Sequence, residues 1–191
     1  VGDDPSGQMV RALAQIDGLD LELITQEFTD SGLTVVAEEQ GSERSFLSSL
    51  GAMGTFSPAD LGPEALAARY VLFSGYFLLP GLQGEAAGEL LARARRGGAT
   101  TVVDTGHPDG GWTEATRTEL FEHVLPYTDI LLPNESELRG LTGIDDVEDA
   151  ARDLAARTDA MIVAKLGADG ALLCAGEAVH RAAAPAVTPL D

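Results

Sequence analysis

Four stretches of the chain hold residues that could act together: Ser74-Gly75-Tyr76, Asp104, Asn134 with Glu137, and Lys165 with Gly167 and Gly170. Their combined chemistry is that of a phosphate donor. A carboxylate such as Glu137 can hold Mg²⁺ directly or through water, because Mg²⁺ usually keeps several of its waters. A lysine beside glycines can meet phosphate as a point charge where the backbone comes close to a ligand. Each stretch also has a plainer reading. Asn134 and Glu137, three residues apart, make a capping box that starts a helix. Lys165 can be a solvated strand end, Asp104 an Asx turn with the backbone near Gly106, and Ser74-Gly75 a simple turn. The balance shifts because all four lie at consecutive strand-to-helix exits. In an open parallel sheet, ligands gather beyond the carboxyl ends of the strands, and four polar exits side by side favour a site.

The elements that place these residues follow from apolar periodicity and punctuation. Residues 129–132 form a compact apolar run, and Pro133 ends it because proline cannot donate to a ladder. The helix that Asn134 caps is short, since Gly140 and Gly143 puncture it. Strands are expected at 70–73, 100–103, 160–164 and 171–174. Helices are expected at 85–96, stopping at Gly97-Gly98, at 113–124 and at 146–157. In the helix at 85–96, Ala86, Leu90 and Ala94 form the buried face; in that at 146–157, Val147, Ala150, Ala151 and Leu154 recur at helical spacing. Proline at the first helical position marks further helix starts near residues 57 and 62. Strands alternating with helices imply an α/β fold: a mostly parallel sheet with helices on both faces.

The first fifty residues differ. A helix over 6–16 carries Met9, Val10 and Leu13 on its apolar face. Strand-like runs at 21–24, 33–37 and 45–47 are separated by turns at Ser31-Gly32 and Gln40-Gly41-Ser42. This antiparallel piece is too slight to own a core. The division expected is residues 1–19 and 51–191 as the α/β core, with 20–50 as a small β lid.

Lys+Arg 12 against Asp+Glu 31 gives a net charge of −19, which argues against general affinity for nucleic acid or an anionic membrane. Cys174 is the single cysteine, so no internal disulfide forms, and its apolar neighbours predict a buried thiol. His107, His123 and His180 are scattered, without the spacing of metal ligands. Neither G-x-x-x-x-G-K-[ST] nor G-x-G-x-x-G occurs, which argues against a P-loop enzyme and a Rossmann dehydrogenase. No apolar run approaches the roughly 20 residues of a spanning helix, and the N-terminus is polar, so a cytoplasmic location is expected.

These residues resemble the ribokinase-like (PfkB) carbohydrate kinases over essentially the whole chain. Val1-Gly2-Asp3-Asp4-Pro5-Ser6-Gly7 is similar to the family's G-x-D-x-x-G segment, and Gly41 to Phe46 with Gly51-Ala52 to the end of its β lid. Asn134-Glu135-Ser136-Glu137 resembles its N-x-x-E motif, the most specific match. Lys165-Leu166-Gly167-Ala168-Asp169-Gly170 resembles its nucleotide-side turn. The resemblance implies ATP-dependent phosphoryl transfer to a hydroxyl of a sugar or sugar-like molecule. A nucleoside kinase and a non-catalytic nucleotide- or sugar-binding regulator stay open as alternatives. It implies that Asn134 and Glu137 organise Mg²⁺ and phosphate, that Lys165, Gly167 and Gly170 lie beside ATP, and that Arg44, Tyr76 and Asp104 face the sugar. A monovalent cation is left open, and a homodimer through the lid is implied.

The chain departs from the pattern in three places. The family's first strand and glycine-rich substrate loop, which precede Val1 in such enzymes, are not here. Asp104-Thr105-Gly106-His107-Pro108-Asp109 replaces the D-P-N-x-R run of some members, and with it an arginine that could grip an acidic sugar. The chain stops at Asp191, where the D-T-x-G-A-G-D segment with the catalytic base would start. The expectation is an internal portion of a longer kinase, inactive as these 191 residues alone.

Overall fold

The computed structural model describes residues 1–16, 18–37 and 45–187. Helix α1 spans Pro5–Leu13, shorter than expected, and its Met9, Val10 and Leu13 are exposed instead of buried. Asp4 caps it. The Asp4 Oδ1 accepts from the Gly7 N–H and the Ser31 hydroxyl, each at 2.7 Å, and Oδ2 accepts from the Ser31 N–H at 3.0 Å. The segment that resembles G-x-D-x-x-G therefore ties a helix to a loop 27 residues away.

The strand expected at 21–24 does not form. Its backbone meets the start of the chain instead, with Val1 donating to the Ile24 carbonyl at 2.8 Å and a single bridge between Gly2 and Gln26. One bridge cannot sustain a ladder. Strands β1 (Leu33–Ala37) and β2 (Ser45–Ser49) pair antiparallel, with Val35 opposite Leu47 and Val36 opposite Phe46. Every position of both strands is exposed. The turn expected at residues 40–42 and the candidate Arg44 lie outside the described residues. Where helix starts were expected near 57 and 62, only 3-10 turns form, at Pro58–Asp60 and Pro63–Leu66.

The remainder alternates strands and helices: β3 (Tyr70–Ser74), α2 (Glu85–Arg96), β4 (Thr100–Asp104), α3 (Glu114–Glu119), β5 (Ile130–Leu131), α4 (Glu135–Thr142), α5 (Val147–Arg157), β6 (Met161–Lys165), β7 (Ala171–Ala175) and β8 (Ala178–Ala182). The helix expected at 113–124 is α3 followed by a π turn over Leu120–Val124. Helix α4 runs through Gly140 and ends at Gly143, which takes the left-handed conformation (φ 75°) of a helix stop. The six strands stand in the order β3-β4-β5-β6-β7-β8; the first four run parallel, and β7 and β8 are antiparallel. The mostly parallel α/β fold with a small antiparallel sheet is thus the one read from the residues. By packing, the chain divides into Val1–Leu61 with Leu78–Leu82, and Gly62–Phe77 with Gln83–Asp191.

The core of the second unit joins Leu91 of α2, Leu120 and Val124 of the π turn, Leu138 and Leu141 of α4 and Leu154 of α5 to one face of the sheet. That face contributes Val103, Leu131, Ile162, Ala164, Leu172 and Cys174, and the Cys174 thiol is buried as expected. Helix α2 buries Ala87 and Leu91 besides Leu90 and Ala94, while Ala86 is only half-buried. Helices were expected on both faces; within this unit the buried side chains of α2, α4 and α5 share one, and on the other Leu72 is 58% exposed. Among the described residues no helix is long and apolar enough to cross a membrane.

Candidate functional site

Because β3, β4, β5 and β6 are neighbours, their carboxyl ends form a row. Ser74 stands opposite Asp104 in register, and a parallel bridge sets Asn134 beside Lys165. Strand β5 has only two residues, after which Pro133 still accepts from the Lys165 N–H at 2.8 Å. The chain then turns into α4 through Asn134 (φ −85°, ψ 177°), whose extended backbone suits an N-cap.

The Asn134–Glu137 contact is reciprocal. The Asn134 Oδ1 accepts from the Glu137 N–H, while the Glu137 Oε2 and Oε1 accept from the Asn134 N–H and Nδ2, all at 2.9 Å. Glu137 is only 3% exposed, and a buried carboxylate needs such partners to stay charged. Burial pushes its carboxyl above the usual range. The Asn134 N–H and the fields of Lys165 and His107 pull it back, and Asp104 adds to the rise.

Lys165 crosses β5 to reach Asp104, Nζ to Oδ2 at 2.8 Å. Both side chains are partly exposed, so the pair itself is worth about 0–1 kcal/mol. Asp104, expected on the sugar side, is the partner of Lys165. No Asx turn closes on its side chain, and the contact to the neighbouring exit is made by its carbonyl, which accepts from the Gly75 N–H at 3.0 Å.

Tyr76 does not join this group. Its ring is fully buried, its hydroxyl donates to the Glu119 Oε1 at 2.5 Å and accepts from the Gly84 N–H at 2.7 Å. Desolvation first, then Glu119, push the phenol well above its ordinary pKa. It is a core anchor. Gly170 is also explained by packing. It sits at φ 92°, and a Cβ there would lie 1.9 Å from the Ala182 carbonyl oxygen at the end of β8. Gly167 (φ 57°) faces open space and stays available to a ligand.

Two neighbours escaped the sequence reading. The His107 Nδ1 lies 3.1 Å from the Pro108 carbonyl, so that nitrogen carries the hydrogen. The sequence signal was a histidine one residue past Gly106 in the turn after a polar strand exit. Trp112 packs edge-on to His107 and Phe77, with centroids 6.1 and 5.7 Å apart. It lies so close to α4 that a Cβ on Gly140 would fall 2.2 Å from its ring. This contact, and not a break in the helix, is why residue 140 is glycine. The Thr105 hydroxyl, buried beside Asp104, has no hydrogen-bond partner among the described residues.

The family model described as pfkB family carbohydrate kinase matches residues 1–191. The 1-phosphofructokinase of Rhodobacter capsulatus is 38% identical over 146 residues, covering 70% of this chain and 42% of that protein. The aminoimidazole riboside kinase of Salmonella typhimurium is 30% identical over 198 residues, covering 100% and 61%. Among solved structures, adenosine kinase from Sinorhizobium meliloti superposes with a TM-score of 0.84 at 21% identity, covering 99% of this chain and 58% of that one. The chain therefore spans 42% and 61% of the two curated relatives' lengths. With the matched family model running from its first residue to its last, the chain belongs to the pfkB family of carbohydrate kinases.

Proposed function

We propose that the whole protein transfers the γ-phosphoryl group of ATP to a hydroxyl of a sugar or nucleoside. The observation that carries this reading is the meeting of Lys165, Asp104 and the Asn134–Glu137 pair at adjacent strand exits. Phosphoryl transfer needs little covalent help from the protein; positioning and neutralisation of charge do most of the work. In this reading Lys165 and the open Gly167 turn hold phosphate, and the catalytic base belongs to a part of the protein other than these residues.

Glu137 has both oxygens engaged by Asn134, and among the described residues no cluster of three His, Cys, Asp or Glu side chains could hold an ion. The fit is to Mg²⁺ that keeps its waters, with Glu137 accepting from them through its remaining lone pairs. Such an ion would supply neutralising charge at the phosphates. We leave the monovalent cation without assigned residues, and assign the protein to the cytoplasm.

Residues 20–50 serve in this reading as the lid. Its hairpin exposes Leu33, Val35 and Leu47 on one face and Val36 and Phe46 on the other, and exposed edges and apolar faces in a soluble protein call for cover. A homodimer through the hairpin provides it. Light scattering of the full-length protein at micromolar concentration is expected to return twice the chain mass; a clean monomer mass rejects the dimer.

The function itself is tested with the full-length protein and Mg²⁺-ATP, measuring ADP release against sugars, sugar phosphates and nucleosides. One acceptor class is expected to support turnover within the 1–100 s⁻¹ or so usual for kinases. ATP binding with no acceptor-dependent ADP release would instead make the protein a nucleotide-binding regulator.

A further inference from the structure

From the Lys165–Asp104 contact we infer that Asp104 is a positioning residue which makes nucleotide and divalent-cation binding depend on each other. The inference rests on the reading that ATP phosphates are held at Lys165. In the chain as folded, the Lys165 ammonium is committed to the Asp104 Oδ2 at 2.8 Å, the single side-chain hydrogen bond that either residue makes among the described residues. Glu137, buried in its capping box, senses the charges of both. The cluster thus holds two carboxylates and one ammonium, with His107 at its border.

A polyphosphate that recruits Lys165 must draw it from Asp104. The exchange is sterically easy, since Lys165 and Asp104 keep 45% and 27% of their side-chain surface exposed, and such half-exposed pairs are held weakly. Electrostatically it is costly when ATP arrives alone. The Asp104 carboxylate then faces the incoming polyanion unpaired, with the Glu137 carboxylate close by, and like charges in a partly desolvated site repel strongly. Arriving with a divalent cation, the same phosphates bring the charge that replaces Lys165 beside the carboxylates. Asp104 therefore penalises metal-free ATP much more than Mg²⁺-ATP. Thermodynamic linkage makes the effect reciprocal, so bound nucleotide raises the affinity for the cation by the same factor.

Asp104→Asn isolates this effect. Among the described residues the side chain has no hydrogen-bond partner besides Lys165, and the backbone contact of residue 104 to Gly75 is unaltered by the change. Equilibrium binding of ATP to the full-length protein is measured by calorimetry, once with EDTA and once with saturating Mg²⁺, for the wild type and for Asp104→Asn. The ratio of the two dissociation constants is expected to shrink on the order of tenfold in the variant, within the 5–150-fold common for coupled sites. Most of the change should come from tighter binding of metal-free ATP. Lys165→Met should weaken ATP in both buffers, which a purely structural lysine would not do. An unchanged ratio in Asp104→Asn, with ATP still bound, overturns the coupling alone. Failure of the wild type to bind ATP in either buffer overturns the phosphate reading beneath it.

Discussion

Glu137→Gln in the full-length protein is expected to lower turnover by about 10–100-fold and to move half-maximal activation to higher Mg²⁺, the usual cost of losing a group that orients a metal's surroundings. The reason lies in the capping box. Glutamine keeps one oxygen for the Asn134 N–H, now at 2.9 Å from the Glu137 Oε2, but brings neither charge nor a second acceptor for the Asn134 amide or for metal-bound water. The fold should survive, with circular dichroism unchanged. An Mg²⁺ titration identical to that of the wild type would leave Glu137 with its capping role only. Stability in Mg²⁺-free buffer provides a second readout. Burial, followed by the other causes, leaves the folded carboxyl with a raised pKa, so the folded state holds a proton more tightly than the unfolded one. Relative to Glu137→Gln, the wild type should gain stability as pH falls through the raised value, and level off below the ordinary glutamate pKa.

Gly170→Ala is expected to cost the most stability of any glycine substitution in the turn between β6 and β7. The backbone there (φ 92°, ψ −125°) is a conformation that L residues avoid, and the new Cβ would lie 1.9 Å from the Ala182 oxygen and 2.7 Å from the Ala184 nitrogen. Strain of about 1–3 kcal/mol and overpacking of a similar size add to roughly 2–6 kcal/mol. For a chain of this size that lowers the melting temperature by about 5–20 °C. Gly167→Ala, whose Cβ meets nothing within 4 Å, should cost far less stability, and its effect should fall on the affinity for nucleotide. If Gly170→Ala kept its melting temperature and lost ATP affinity, the turn would be shaped for the ligand and not for β8.

What the residues alone disclose is what local pattern dictates. The α2 boundaries, Glu85–Arg96, are those read from periodicity and the glycine pair that follows, and the N-cap role of Asn134 is visible in the spacing to Glu137. Strand β8, Ala178–Ala182, was not read as a strand: Ala-Val-His-Arg-Ala has one strongly apolar position, and it exists because β7 offers an edge to pair with. The runs at 21–24 and 33–37 look alike, yet only the second has a partner strand. Gly140 and Gly170 look like punctuation until Trp112 and Ala182 are found against them. The partners of Tyr76 and Asp104, Glu119 and Lys165, lie 43 and 61 residues away in the chain. Long-range partners of polar side chains leave no local trace.

The uninterrupted strand order has a consequence for how the molecule is made. Each strand from β4 to β8 hydrogen-bonds to the one synthesised just before it. Within this sheet each strand after β3 pairs with its chain neighbour, and contacts of that kind form fast. During translation the sheet can grow as an ordered array, its leading edge always the next template, as domains tend to fold from the N-terminus onward. The Lys165–Asp104 contact breaks that rule: it skips β5 and joins β6 to β4. It closes only when Lys165 has been added, so this row of strand exits is completed late, after the strands beneath it have already set their register.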